Sequence, residues 1–395
     1  MKNVHQKQPT IFLMIVLVGF PQISESIFTP ALPAISQTMR VSPQVSQLTM
    51  STYFAAFAFG VLFWGWLSDQ IGRRPSMLWG IAIYLLGNLG LLLAPRFSLL
   101  LGARIIQAFG ASVGSVVTQT IMREAFSGIT GAKVFAKVGA AMALSPALGP
   151  LIGGLAQTYF GYRSVYSVLI AMAIGAGLYA YARLPETRVR PIAQQGSIGK
   201  LIKRLLKDPQ VWAYGLLISG INGILFSYYA EAPFIFITHF HFTIIQYGLL
   251  GLVLAAASIV GAVTTNYDIE HFGAVQIARY GLWVALICSC GYLWASIQAE
   301  LGLMIVLIFG IFLGLNTTLP VALNLALVDY EAVIGTASGL FSFAYYWLIS
   351  LLTYGMSWLH HGSILTLPSY IGILISLMLI AFYLGVRSPV IKSTH

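Results

Sequence analysis

The chain has 395 residues, of which 58% are hydrophobic and only 8% charged, with a mean hydropathy of +0.84. That leaves too little polar surface to cover a water-soluble globule of this length, so most of the chain is expected in lipid. A formal charge of +10 would point to nucleic acid in a soluble protein; here its meaning depends on which loops hold the basic residues.

Apolar runs between charged or turn-rich breaks predict twelve spans: 11–35, 45–67, 76–94, 97–120, 133–157, 164–184, 210–235, 244–266, 275–297, 301–325, 333–358 and 367–386. Each is close to the about 20 residues that cross a bilayer as a helix. Of the 21 Lys and Arg residues, 17 lie on one side, in or beside the even-numbered connections and at the two ends. Arg40, Arg96 and Arg163 lie in odd-numbered connections, and Arg104 lies inside a span. The positive-inside bias then puts both termini in the cytoplasm. No cleaved leader is expected, because the first apolar stretch runs from Ile11 past Pro33 with no short core and small-residue cleavage site behind it.

In the first span Glu25 lies about 14 residues in, or roughly 21 Å at about 1.5 Å per residue, a little beyond the midplane on the outer side. Gln22 and Thr29 share its face. An ionisable group at membrane depth is a functional candidate by default, and a carboxylate there can exchange a proton for a cationic substrate.

Between the second and third spans stands the charged, glycine-punctuated turn Gly65-Trp-Leu-Ser-Asp69-Gln-Ile-Gly72-Arg73-Arg74-Pro75. Small Gly65 lets helices approach, and Gly72 permits the tight turn. Asp69 is then free to meet a helix terminus or a basic partner across a joint between halves. In the fourth span Arg104 costs on the order of 2.5 to 3.5 kcal/mol to insert, so it must face a wet cavity or a partner. Gln107, Ala111, Gly114 and Thr118 continue its face as a small, polar stripe that reads as cavity wall. In the fifth, Gly149-Pro150-Leu-Ile-Gly153-Gly154 combines bending prolines, Pro146 and Pro150, with glycines that admit a neighbour at the bend.

The longest polar stretch, Pro185 to Asp208, falls after six spans. It divides the chain into halves 1–184 and 209–395 joined by a linker, 185–208. Within it Ile198, Leu201, Ile202, Leu205 and Leu206 alternate with Lys200, Lys203, Arg204 and Lys207, predicting an amphipathic basic helix on the inner leaflet. A shift of 201 residues lays Glu270-His-Phe-Gly273 over Asp69-Gln-Ile-Gly72, a weak internal repeat without the arginines.

In the second half Glu231 is the other carboxylate at membrane depth, near the outer end of the seventh span. Two readings stay open for it: a snorkelling, half-hydrated group, or a second cation or proton site. Candidate cavity residues are Asn222, Asn316 and Asn324 with the aromatics Tyr53, Phe57, Phe226, Tyr228, Tyr345 and Tyr346, since aromatic walls with few polar groups bind amphipathic compounds. His239, His241, His360 and His361 are placed in outer loops, and no metal site is expected of them. Cys288 and Cys290, two apart on a helix, point to opposite faces and read as buried thiols.

Gly65, Leu67, Asp69, Gly72, Arg73 and Arg74 match a loop signature by which the chain is identified as a member of the major facilitator superfamily. Arg104-Ile-Ile-Gln107-Ala-Phe-Gly110 and Gly149-Pro150-Leu-Ile-Gly153-Gly154 resemble its second and third signatures, the latter marking antiporters. Glu25-Ser-Ile-Phe-Thr-Pro30-Ala-Leu-Pro33, Tyr228-Tyr-Ala-Glu231-Ala-Pro233-Phe234 and Gly335-Thr-Ala-Ser338-Gly339 resemble its bicyclomycin and chloramphenicol resistance (Bcr/CflA) branch, although Glu25 stands for the usual aspartate and Glu231 for a small residue.

The resemblance implies an all-α integral membrane fold of twelve transmembrane helices in two six-helix pseudo-repeat halves, working as a drug:proton antiporter of the inner membrane. It implies proton coupling at Glu25 and Arg104, and a cavity drawn from Gln22, Glu25, Tyr53, Gln107, Asn222, Phe226, Tyr228, Glu231, Asn316, Asn324 and Tyr345. Gating falls to Gly65, Asp69, Gly72, Arg73, Arg74, Gly149, Pro150, Gly153 and Gly154, with the charged turn a latch that favours the outward-open state. The expected partners are a small-molecule substrate, protons and the lipid bilayer, with no nucleic acid and no cofactor, the proton gradient driving a monomer. A carrier of a polar metabolite, amino acid or siderophore, in either direction, and a non-transporting receptor or scaffold stay open as alternatives. An enzyme would need a clustered nucleophile, base or metal set, and none stands out.

Overall fold

The computed structural model describes residues 8–126, 128–188 and 198–386. Among them the regular structure is helical, and its order follows from where prolines and glycines interrupt apolar runs. The first span is α1 (Ile11–Ser26), a 3-10 turn (Thr29–Ala31) and α2 (Leu32–Met39). Pro30 and Pro33 lack the amide that a continuous helix would need, so the chain breaks just beyond Glu25. The next spans are α3 (Pro43–Ile71), α4 (Arg73–Leu93) and α5 (Phe97–Ala125). The fifth is split into α6 (Gly128–Met142) and α7 (Ser145–Phe160), with a proline in the first turn of the second piece. Then follow α8 (Ser164–Arg183) and the predicted amphipathic helix, α9 (Ile198–Lys207), on which Leu205 is buried while Lys200, Lys203 and Lys207 are exposed.

The second half continues with α10 (Pro209–Pro233), α11 (Ile244–Phe272), α12 (Ala274–Ile297), α13 (Leu301–Leu325), α14 (Ile334–Leu359) and α15 (Thr366–Gly385). Beyond Pro233, α10 widens into a π-helical turn, Phe234–His239, where the amide of Phe240 reaches back five residues to Ile235. Each of the twelve expected spans coincides with a helix or a broken pair. Among the described residues eleven segments have the length and hydropathy of a crossing. At 26 residues α14, the twelfth, is long enough, and its Ser, Thr, Tyr and Trp content lowers its hydropathy.

The chain forms two compact units. The first comprises Met1–Gln194, Leu225–Ala255 and Ser342–Ser363; the second comprises Gln195–Ile224, Ala256–Phe341 and Ile364–His395. In the first, α5 is the hub against which α1, α3 and α4 pack, and Tyr53, Phe57, Trp64 and Tyr84 are fully buried around it. In the second, α12 packs on α13 and α15 around Leu282, Tyr292 and Met304.

Large apolar side chains on the outward faces of these helices, such as Leu93, Phe160 and Leu384, are exposed, as lipid-facing residues must be. Cys288 is half-buried but Cys290 is exposed, so the expectation of two buried thiols holds only in part. Opposite helix faces put one of the pair outside.

The weak repeat has a backbone counterpart. Gly72, with φ +105°, precedes α4, and Gly273, with φ +77°, precedes α12; both angles lie where side chains other than glycine are strained. The side chains of Glu270 and His271 lie outside the described residues.

Candidate functional site

Glu25 ends α1, one residue before the helix gives way to the proline-rich turn, and is 8% exposed. Among the described residues no side chain lies within hydrogen-bond or ion-pair distance of its carboxylate. Arg104 enters the same region from α5 and is buried. Its guanidinium is stacked between the rings of Phe28 and Tyr53, 4.0 and 4.1 Å from their centroids. Nε donates to the carbonyl of Thr49 and Nη1 to that of Ser24, both at 3.4 Å, and Nη1 also to Oε1 of Gln107. Nη2 has no partner. Gln107 passes the polar chain on through Nε2, to Asn88 Oδ1 at 2.6 Å and Ser24 Oγ at 3.3 Å.

A guanidinium keeps its charge, so here two π-faces and two carbonyls replace the water it has lost. The cation is thereby fixed beside Glu25 without being consumed by it. Glu25 and Arg104 are thus brought together as expected, while Asn88, Ser24 and Phe28 were missed. Asn88 had a signal, as a lone amide in the apolar fourth helix. The stripe below Arg104 is a correction. Ala111, Gly114 and Thr118 are buried, and a methyl on Gly114 would meet the carbonyl of Leu17 at 2.5 Å. Gly114 thus forms a close contact with α1 rather than a cavity wall.

The expected aromatics form one cluster in the first unit. Tyr53 stacks on Phe57 (5.8 Å), Phe57 meets Tyr346 (4.7 Å), Tyr346 meets Tyr345 (4.5 Å), and Phe54 meets Phe226 (4.3 Å). Tyr53, Phe226 and Tyr228 are buried, and Gln22 and Tyr345 are half-buried. The asparagines belong to the second unit. Asn222 and Asn316 donate to carbonyls of their own helices, Ile218 and Phe312, and Asn324 is exposed. Two of the three amides are therefore engaged within their own turns.

The charged turn is built around Arg73, which is buried. Its fork holds Glu124 of α5, with Nη2 at 2.6 Å and Nε at 3.1 Å from the carboxylate, while Nη1 reaches Asp69 at 2.5 Å and Ser68 at 2.8 Å. Glu186, just beyond α8, accepts from the first two amides of α4, those of Arg73 (2.9 Å) and Arg74 (3.1 Å), a carboxylate at the positive end of a helix. Arg74 donates to the carbonyl of Tyr181, Thr187 to Glu124, and Arg188 to the carbonyl of Gln70.

Asp69 therefore pairs four residues on, within its own turn, and not across a joint between halves. Gly72 lets α3 and α4 meet so closely that one arginine spans them. Half-buried Gly65 faces Val116 of α5. Glu124 and Glu186 are partners that the sequence reading missed, although both are on the side of the membrane that the charge count assigns to this turn.

The glycines of α7 act at closest approach. A methyl on Gly153 would overlap the carbonyl oxygen of Ile27, and one on Gly149 the hydroxyl of Ser26. The motif thus presses on the two residues that follow Glu25. On its other side Gly154 lies against Ile244 of α11, and Gly248 against the carbonyl of Pro150. Gly153→Ala is expected to cost about 1–3 kcal/mol by overpacking, seen as a lower melting temperature of purified protein and reduced flux. An alanine variant as stable as the parent would refute this contact.

Glu231 departs from the half-hydrated reading. It is 1% exposed; both carboxylate oxygens lie 2.7 Å from Nδ1 of His360, and Oε2 accepts from Gln47 Nε2 at 2.6 Å. His360 is therefore no outer-loop residue in water but is 5% exposed, because the chain turns inward directly after α14 and Gln44 holds its carbonyl at 2.9 Å. His361, His239 and His241 are exposed as expected.

Apolar helices of bilayer length, with a buried carboxylate, a buried guanidinium and an aromatic cluster gathered in the first unit, have the features of a multi-pass membrane transporter. A family model for the Major Facilitator Superfamily matches residues 14–353, and the chain belongs to that family. It is 33% identical over 366 residues to an uncharacterized transporter of Rickettsia bellii, covering 89% of this chain and 90% of that one. It is 28% identical over 337 residues to a chloramphenicol resistance protein of Pseudomonas aeruginosa, covering 84% and 80%. That likeness bears out the branch read from Glu25 to Pro33. A solved D-xylose-proton symporter has the same fold, with a TM-score of 0.74 at 13% identity over 95% of this chain and 98% of that one.

Proposed function

We propose that this transporter exports a small amphipathic compound in exchange for protons, by alternating access of two six-helix halves, 1–184 and 209–395, joined by the linker 185–208. The observation that carries this is Glu25: a buried carboxylate, beside a cation already engaged elsewhere, at the edge of an aromatic cluster. A lone buried anion is costly, so the group is best neutralised either by a proton or by a polar or cationic part of a substrate. Two ligands that neutralise one group exclude each other, and exclusion is what antiport requires. Relatives named for drug resistance and the α7 glycine motif support the outward direction.

The 17 basic residues support both termini being cytoplasmic, and the bacterial relatives support an inner membrane. No cofactor enters the scheme, the working form is a monomer, and substrate and protons are its soluble partners.

The test uses everted inner-membrane vesicles with an imposed gradient, acid inside. Amphipathic antibiotics of the chloramphenicol type are expected to accumulate in the lumen and to release protons outward. Accumulation of polar metabolites alone, or no proton movement with any amphipathic compound, would sink the reading.

The Arg73 cluster is the latch in this scheme. Arg73→Ala removes the fork that joins α3, α4 and α5, and is expected to slow exchange between states several-fold while equilibrium substrate binding is kept. Substrate counterflow against direct binding separates the two, and equal loss of both would assign Arg73 to the binding site instead.

A further inference from the structure

We propose that Glu231 and His360 form a second proton-binding site, distinct from Glu25, which ties closure of the end opposite the Gly72 turn to uptake of a proton. The pair joins two helices far apart in sequence, α10 and the end of α14, and Gln47 brings in a third, α3. All three side chains are buried. Oε1 of Gln47 has no partner, Nε2 of Gln47 also lies 3.4 Å from Nδ1 of His360, and the ring of Phe234 covers the imidazole at 5.4 Å.

The charge count follows from this geometry. His360 Nδ1 faces both carboxylate oxygens at 2.7 Å, and such a contact needs a proton between nitrogen and oxygen. With Glu231 ionised and His360 protonated, or with the proton on the carboxyl, the pair is neutral overall and its short contacts are satisfied. With a single proton on His360 the pair is a buried net anion: on Nδ1 that proton still serves the contact with Glu231, while on Nε2 it leaves the carboxylate facing a lone pair with the Gln47 amide as its single donor. That state is expensive without water.

Among the described residues no other charge is placed to compensate. Gln44 and Gln47 are the polar groups from α3, Arg40 at the end of α2 is exposed, and His239, His241 and His361 are exposed, with His361 turned to the carbonyl of Leu359. Tyr228 lies one turn before Glu231 on α10. Opening this end to water removes the penalty on the unprotonated pair.

The closed form therefore binds one more proton than the open form. The sign is fixed: rising pH favours opening, by up to about tenfold per pH unit for one proton, and falling pH favours closure. This inference rests on the alternating-access reading, but its test requires neither substrate nor flux.

Cys288 and Cys290 are replaced by serine and Ser357 by cysteine. Ser357 is buried three residues before His360 and bonds only to the carbonyl of Thr353 in its own helix. Right-side-out vesicles are labelled with a membrane-impermeant maleimide between pH 6 and 8, each rate divided by that of the unfolded protein at the same pH. The labelling rate is expected to rise about threefold or more per pH unit. Glu231→Gln, nearly isosteric and free of the charge, should label slowly and without pH response. His360→Gln should label faster than the parent at pH 6. Size-exclusion profiles confirm folding, and labelling at Ser350→Cys provides a second reporter. A parent rate independent of pH, an unchanged pH response in Glu231→Gln, or slow labelling of His360→Gln overturns the proposal. Loss of pH response with drug flux intact would remove this site alone, whereas loss of flux with the response intact would count against the antiport reading alone.

Discussion

Replacing Glu25 with glutamine is expected to abolish proton-driven transport, bringing flux to the level of membranes without the protein, while expression and melting temperature stay close to those of the parent. The exchange is nearly isosteric, and the carboxylate makes no hydrogen bond or ion pair among the described residues, so little packing is lost. It is also 8% exposed, so an amide there avoids the cost of a buried anion and is tolerated at least as well. What is lost is the ability to alternate between a charged and a neutral form. Reconstituted vesicles with a pH-sensitive dye in the lumen measure this directly. Substrate-induced proton movement of normal size in Glu25→Gln would remove the central claim, whereas substrate binding that no longer competes with protons would support it.

The second large effect is expected at Arg104. Arg104→Ala leaves the Gln107 oxygen and the Ser24 carbonyl without this donor, at about 1–3 kcal/mol for each buried group left unsatisfied, while the Thr49 carbonyl keeps its bond inside α3. It also empties the space between Phe28 and Tyr53. Removing a desolvated charge offsets part of this, but the polar chain to Asn88 through Gln107 is left without its anchor. A lower melting temperature and loss of flux are expected together.

Arg104→Lys separates charge from shape. It keeps the cation but cannot present a planar fork between two rings, so flux should still fall by tenfold or more with a smaller loss of stability. Full transport by the lysine variant would mean that only the charge matters and that the aromatic sandwich is incidental.

The span count, the charged turn and the identity of Glu25 and Arg104 were legible because each rests on local sequence. A run of about 20 apolar residues has few other fates, and a charge inside such a run is conspicuous. Glu124 and Glu186 were not legible as partners of Arg73 and α4. Acids at helix ends are common, and only the approach of α5 and of the chain after α8 to the Gly72 turn selects these two. The stripe at Gly114 was misassigned for a related reason: small residues suit a cavity wall and a close helix contact equally well, and α1 decides between them.

Glu231 shows the division most clearly. The sequence by itself determined that an acid sits near one end of the seventh span and that two histidines follow the eleventh, and the charge pattern gave the expectation that this end is the outer one. Only the tertiary structure decided that His360 folds inward to meet Glu231 while His361 stays outside, and that Gln47, from a helix 184 positions away, completes the group. The physical reason is range. Hydrophobic length and loop charge act residue by residue along the chain, whereas the pairing of a buried acid depends on which helices approach within about 3 Å of it, and no local pattern records that.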